Sequence, residues 1–285
     1  MLATGSDPKL PFSQRTGLEP LPPQLRLGEV SAELRRLLSY CISQEIDRHT
    51  LSGYSDPYLK DGWERVANDL HVKFYKRDPE TFQNEPYTIK RSLNSSTKEF
   101  KLGKLFDLIE FLLQHRGCSK QLKDDLSEAF VSARAAYRII DNSIIAAVGS
   151  EEQASSLERA LAESAQENAT AVRKQLIAAG IALKQGAWAA SIRESTHAVE
   201  AMAVKLAPET KTLGGALAVL ESRGHLHGSL KKAFGALYGY SSDEEGVRHA
   251  LVFQETAQVD EVDALFMLGA CAAFVSYLIA RNRTA

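Results

Sequence analysis

YRIIDNSIIAAVGSEEQ, residues 137–153, changes its period twice and so decides the fold. Tyr137-Arg138-Ile139-Ile140 and Ile144-Ile145 are β-branched and aromatic runs. Asp141-Asn142-Ser143 between them are turn formers, and the whole predicts a short β-hairpin. Ser150-Glu151-Glu152-Gln153 follows as a capping box, in which Ser150 can bond the amide three residues on and Gln153 can reach back. A strand pair running straight into a helix start marks a boundary. The hairpin therefore closes an N-terminal domain, 1–149. A connecting helix, 150–168, polar on most faces, leads to a C-terminal helical bundle, 169–285.

Upstream of the hairpin the period is helical. Residues 1–30 carry Pro8, Pro11, Pro20, Pro22 and Pro23 and read as an extended arm or strand pieces. Ser31 stands where an N-cap belongs, and Leu34, Leu37, Leu38, Cys41, Ile42 and Ile46 follow at helical spacing. Residues 50–56 read as a turn, and Trp63, Val66, Leu70 and Phe74 as the stripe of a second helix. The stretch 77–98, with two prolines and polar clusters, reads as loop. Leu105 to Leu113 is the stripe of a helix stopped by Gly117, and Ser119 caps the next.

Downstream, the Ala-rich helix opened at Ser150 runs to Gly180. Trp188, Ile192, Val199, Met202 and Leu206 form the stripe of another helix, ended before Pro208. Thr212 starts a further one, and Leu230, Phe234, Leu237 and Tyr238 mark its successor. Ser242-Asp243-Glu244-Glu245 is a second capping box, opening a short segment through Leu251. The last helix, Val259 to Arg281, turns Val262, Phe266, Ala270, Phe274, Tyr277 and Leu278 inward. The fold class is mainly α, and short links favour antiparallel neighbours in one bundle.

At 285 residues there is room for roughly two cores. Cys41, Cys118 and Cys271 are few, scattered and without CxxC spacing, as expected of reduced thiols in a cytoplasm. The opening MLATGSDPKLPFSQR lacks the order of a signal peptide, and no apolar run reaches the ~20 residues of a membrane span. A cytoplasmic protein with no membrane partner is the expectation.

No GxSxG, HExxH or Walker motif supports a hydrolase, metalloprotease or NTPase. Gly214-Gly215 lacks the strand and the Lys-Ser/Thr of a phosphate loop. His225 and His227 are half of a metal site that nothing at ligand spacing completes, so neither metal nor cofactor is expected.

The formal charge is −2, and no global basic field advertises nucleic acid. The window 73–104 is different. Lys73, Lys76, Arg77, Lys90, Arg91, Lys98, Lys101 and Lys104 face Asp78, Glu80, Glu85 and Glu99, leaving it locally +4. It is open to two readings, a solvated face or a phosphate-contacting surface. SSDEEGVRHAL, 241–251, gathers carboxylates, a Gly, an Arg and a His, either as a capped short helix or as a catalytic or RNA-contacting element. Arg193 and His197 lie on one helix face, with Glu194 and Glu200 nearby. Tyr238 and Tyr240 either pack or stack on bases.

FSQRTG (12–17), AELRRLL (32–38) and YRIIDNSIIAAVGSEEQ resemble the N-terminal domain of AbiJ-type abortive-infection proteins of bacteria. SIRESTHAVEAM (191–202), TLGGAL (212–217), LKKAFGALYGYSSDEEGVRHAL (230–251) and FMLGACAAFVSYLIA (266–280) resemble the helical module behind that domain, which is similar to the HEPN class. The resemblance implies phage defence and, for the HEPN class, metal-independent RNA cleavage at the cleft of a homodimer. There a His handles the 2′-OH proton and an Arg stabilises the phosphorane charge. Arg248 and His249 are the pair this implies here, with Arg193 and His197 second. If RNA is the ligand, Lys98, Lys101 and Lys104 of the basic window and the stacking ring of Tyr240 are the contacts expected.

The sequence departs from the family motif, whose Arg and His stand further apart. Adjacent helical residues point about 100° apart, so Arg248 and His249 serve one phosphate only at a bent helix end or across a two-fold. The departure keeps a second class open, a non-catalytic HEPN-like module that dimerises or holds a defence-system partner protein.

Overall fold

The computed structural model describes residues 12–20, 23–52, 56–60, 62–242 and 259–283. The fold is mainly α, and among the described residues strand occurs as two antiparallel hairpins.

The N-terminal half is built around α2 (Ala32–Arg48), after a single helical turn, α1 (Phe12–Arg15), where an arm or strand was expected. The Leu34 amide donates to Ser31 Oγ at 3.0 Å, so the expected cap forms. Leu34, Leu38, Ile42 and Ile46 are fully buried, one helical face laid against α4 (Pro86–Glu99) and α6 (Lys120–Ser132). β1 (Thr50–Leu51) pairs with β2 (Tyr58–Leu59), so strand occupies the start of the stretch 50–56 that reads as a turn. α3 (Trp63–Asp69) runs into a π-helical turn, Leu70–Phe74. α5 (Leu102–Gln114) buries the six apolar residues its spacing marked, and the Ser119 cap holds Leu122 N at 3.0 Å.

One segment departs from expectation. Much of the supposed loop 77–98 is α4, with Pro86 in its first turn, where a missing N–H costs nothing. Its buried face is Pro86, Leu93, Ser96 and Thr97, too small and polar to read as an apolar stripe.

β3 (Tyr137–Ile140) pairs with β4 (Ile144–Ala147), Ile140 opposite Ile144 and Tyr137 opposite Ala147. Asp141 and Asn142 at the tip take φ of 51° and 53°, left-handed values that short polar side chains tolerate. All four residues of β3 are buried. α6 and α5 contact this hairpin from the N-terminal half and α8 (Thr170–Lys184) from the C-terminal half. A Cβ on Gly180 of α8 would stand 2.9 Å from the Ala146 Cβ, so helix and strand touch backbone to side chain.

The C-terminal half adds α7 (Glu151–Gln166), α9 (Trp188–Leu206), α10 (Leu213–Ser222), α11 (Gly228–Ser242) and α12 (Glu261–Arg283). The expected single helix from Ser150 to Gly180 is two, α7 and α8, separated at Asn168, whose φ is 52°. α7 is less polar than expected: it buries Ala154, Leu157, Ala160 and Leu161, and packs on α8 and α12. α12 lies against α7, α8 and α9. Phe274 and Leu278 are buried as expected, whereas Val262 and Phe266 are 71% and 55% exposed. By length and composition α12 is long and apolar enough to cross a membrane, but 61% of its apolar window is buried in the bundle.

The Gly180–Ala146 contact sets a test. Gly180→Val inserts three carbons where one already clashes, and should destabilise the chain by about 1–3 kcal/mol despite removing a helical glycine. Urea denaturation of the full chain reads this as a lower midpoint, and an unchanged midpoint would show that the hairpin yields freely.

Candidate functional site

Three places in the structure gather chemistry-bearing side chains. The first is the outer ridge of α9. Ser191 and Ser195 turn inward, fully buried, and the Ser195 hydroxyl donates to the Ser191 carbonyl at 2.7 Å, which lets small residues pack closely. The opposite face carries Arg193, Glu194 and His197. Glu194 approaches both neighbours, Arg193 Nε at 3.8 Å and His197 Nδ1 at 3.9 Å. These are long, half-exposed pairs, worth well under about 1 kcal/mol each. The nearby Glu200 accepts from the Leu213 amide and joins α9 to α10. Arg193 and His197 thus share a face, with one carboxylate between them.

Arg248 and His249, with the acidic cluster before them, lie outside the described residues. Tyr240, on α11, is 40% exposed. Burial first, then the Asp263 and Asp260 carboxylates, push its phenol above the ordinary value, so it stands beside negative charge rather than lysines. His227 accepts from the Ser229 amide at 3.2 Å and serves the start of α11.

The second place is the basic window. The α4 helix and the π-turn bring part of it together, with Arg77, Arg91 and Lys104 around one hollow, while Lys73 lines a different cleft. Lys73 is taken by Asp69 at 2.7 Å and Lys90 by Asp47 at 2.6 Å. Arg35 reaches the Thr97 carbonyl in the last turn of α4 and that of the capping Phe100, at 2.8 and 2.9 Å, and fixes the corner into α5. Lys98, Lys101 and Lys104 stand exposed around that corner, with Lys104 Nζ 4.5 Å from the Phe100 ring centre. Arg77 lies over the Tyr75 ring at 4.9 Å. Two hollows open here. One of about 130 Å³ is lined by Leu70, His71, Phe82, Ile89 and Leu93 among others, and a wider one of about 520 Å³ by Arg91, Glu99, Phe100 and Lys104. Tyr75, Arg77, Thr88 and Ser92 line both.

The third place was invisible in the sequence. His49, Arg65, Asp69, Lys73, His115 and Arg116 line a cleft of about 790 Å³. Two histidines beside carboxylates suggest proton transfer, yet the His115 imidazole is engaged at both nitrogens. His115 Nδ1 accepts from the Gly117 amide at 2.9 Å, and Nε2 faces Asp69 at 3.1 Å. His49 Nε2 lies 3.3 Å from the buried Glu45, which also accepts from the Trp63 indole, while Nδ1 is sealed away from solvent. The His115 ring is thus held at both nitrogens and the His49 ring at Nε2 alone. The Lys73 hydrogen bond first, and then His115, hold the Asp69 carboxyl below its usual range.

Burial pushes all three thiols up, Cys41 and Cys118 to about 11 and Cys271 to about 12, so none supplies a thiolate nucleophile near neutrality. Among the described residues no group of three His, Cys, Asp or Glu side chains is placed to hold a metal ion.

A family model described as AbiJ N-terminal domain 4 matches residues 10–163, more than half of the chain. No curated protein and no solved structure matches it. The matched span holds the hairpin, the basic window and the histidine cleft, and the α9 ridge lies beyond it.

Thiols this far from ionisation make a second test. At pH 7.5 iodoacetamide should modify the native chain roughly two orders of magnitude more slowly than the urea-unfolded chain. Equal rates would mean that a thiolate is exposed.

Proposed function

Because this chain belongs to the AbiJ N-terminal domain 4 family, we propose that it is a bacterial abortive-infection effector that acts on RNA in the cytoplasm. The observation that carries the RNA reading is the corner between α4 and α5, where Lys98, Lys101 and Lys104 project within the family-matched segment without ion pairs among the described residues. A row of cations at the surface contacts successive phosphates and gains affinity by releasing counterions.

In this reading the C-terminal bundle is HEPN-like and pairs with a second copy, and the cleft between copies cuts the RNA without a metal. His197 or His249 takes the 2′-OH proton, the 2′-oxygen attacks the adjacent phosphorus, and the bond to the 5′-oxygen breaks. That oxygen leaves with the proton returned by imidazole, giving a 2′,3′-cyclic phosphate and a 5′-hydroxyl. Arg193 or Arg248 stabilises the charge on the phosphorane. A specific observation supports a second reading, a non-catalytic module for a partner protein: Glu194 lies within ion-pair reach of both Arg193 and His197 and competes with phosphate for them.

The deciding experiment incubates the full chain with total RNA, with and without chelator, and analyses fragment ends. Cyclic-phosphate ends formed in chelator are expected, with His197→Ala or His249→Ala lowering the rate by about 10²–10⁴-fold. In parallel, neutralising Lys98, Lys101 and Lys104 to Gln should reduce the salt slope of RNA binding by about 2. An unchanged slope removes the lysines from the RNA surface. Intact RNA with phage protection retained selects the second reading.

A further inference from the structure

The two hollows beside the π-turn form a slot of mixed character. Its inner end is apolar: Ala67, Leu70 and Leu93 are buried at its base, and Phe82 and Ile89 are half-buried at its sides. Its rim offers fixed polar groups. His71 Nε2 sits 3.0 Å from the Asp78 carbonyl and 2.9 Å from Thr81 Oγ1, and its ring meets Phe82 edge-on. The outer end is cationic. Arg77, Arg91 and Lys104 line the wider hollow and make no ion pair among the described residues; the one carboxylate in its lining, Glu99, accepts from the Ser95 hydroxyl.

The backbone is shaped to bring these ends together. The π-helical turn Leu70–Phe74 shifts the register, and Lys76, at φ 56°, reverses the chain so that Arg77 folds back over Tyr75. Single π-turns recur at functional sites because they re-aim side chains. The Tyr75 hydroxyl is tied to Ser96 at 2.8 Å, which fixes the ring that carries Arg77.

We propose that this slot binds a free nucleoside phosphate, its base in the hollow lined by Phe82, Ile89 and Leu93 and its phosphates on Arg77, Arg91 and Lys104. The inner hollow, about 130 Å³, has room for one planar ring system. Guanidinium groups pair with phosphate oxygens bidentately, and an apolar pocket with a few fixed polar groups orients a base. The proposal does not rest on RNA cleavage; it makes the N-terminal half a receptor for a small ligand.

Calorimetric titration of the full chain with ATP, GTP, CTP, UTP and inorganic triphosphate tests it. At least one nucleotide should bind tenfold or more tightly than triphosphate. Arg77→Ala and Arg91→Ala, both at exposed positions, should each weaken it at least tenfold with the melting temperature unchanged. Ser92→Trp, at the junction of the hollows, should abolish binding, while Lys120→Gln, exposed on α6, should leave it intact. If Ser92→Trp melts the protein, the two arginine variants still decide. The proposal is overturned if no nucleotide binds at about 1 mM, a threshold of roughly 4 kcal/mol, or if triphosphate binds as well as any nucleotide. It is equally overturned if the folded arginine variants bind normally, or if a 5′-phosphorylated oligoribonucleotide binds and free nucleotides do not.

Discussion

A guanidinium sits inside this fold. Arg138, in the strand β3, is 2% exposed, and its Nη1 donates to the carbonyls of Ala135 and Tyr137 at 2.8 Å. Its other terminal nitrogen pairs with Glu151, the first residue of α7. An unpaired buried cation costs several kcal/mol, so hairpin and helix start must keep one register. Two further ion pairs fasten the same joint. Glu110 of α5 accepts from the Ile145 amide and from Lys184 of α8, each at 2.8 Å. Asp141 at the hairpin tip pairs with Arg173. The core accordingly runs without interruption from α2 through the hairpin to α12.

What could be read in the sequence is what local chemistry dictates. Ser31, Ser119, Ser150 and Thr212 each hold the amide three residues on, as side-chain caps do anywhere. The hairpin followed from two β-branched runs around an Asp-Asn turn. What could not be read is where tertiary packing replaces apolar patterning. α2 and α4 meet through Ser39, Ser43 and Asn94, whose amide oxygen accepts from both hydroxyls, at 2.7 and 3.2 Å. Such an interface leaves no hydrophobic stripe, and a segment with Asn, Ser and Thr at its centre looks like loop. Val262 and Phe266 failed for the opposite reason: α12 is apolar almost all round, so periodicity does not say which side faces in.

The candidate sites divide the same way. Lys98, Lys101 and Lys104 were visible as charge, but the slot beside them depends on the π-turn and on Lys76 reversing the chain. Arg193 and His197 share a face because four residues make about one helical turn, and that much was legible. That Glu194 stands between them depends on side-chain rotamers. The His49 and His115 cleft shows the converse. Histidines beside carboxylates look catalytic in outline, and only the Gly117 amide shows that His115 has no nitrogen to spare.

The contact of Gly180 with Ala146 bears on how such a chain changes over generations. Domain shuffling works most easily when modules meet through a neutral linker, which accepts whatever is joined to it. Here the seam is keyed: a missing side chain on α8 receives a strand methyl, and Lys184 and Arg173 answer carboxylates on the other half. A foreign N-terminal unit joined to this bundle would have to bring a small residue and two acids to matching positions. An exchanged N-terminal half that lacked them would leave Lys184 and Arg173 without these carboxylates and set a larger side chain against Gly180.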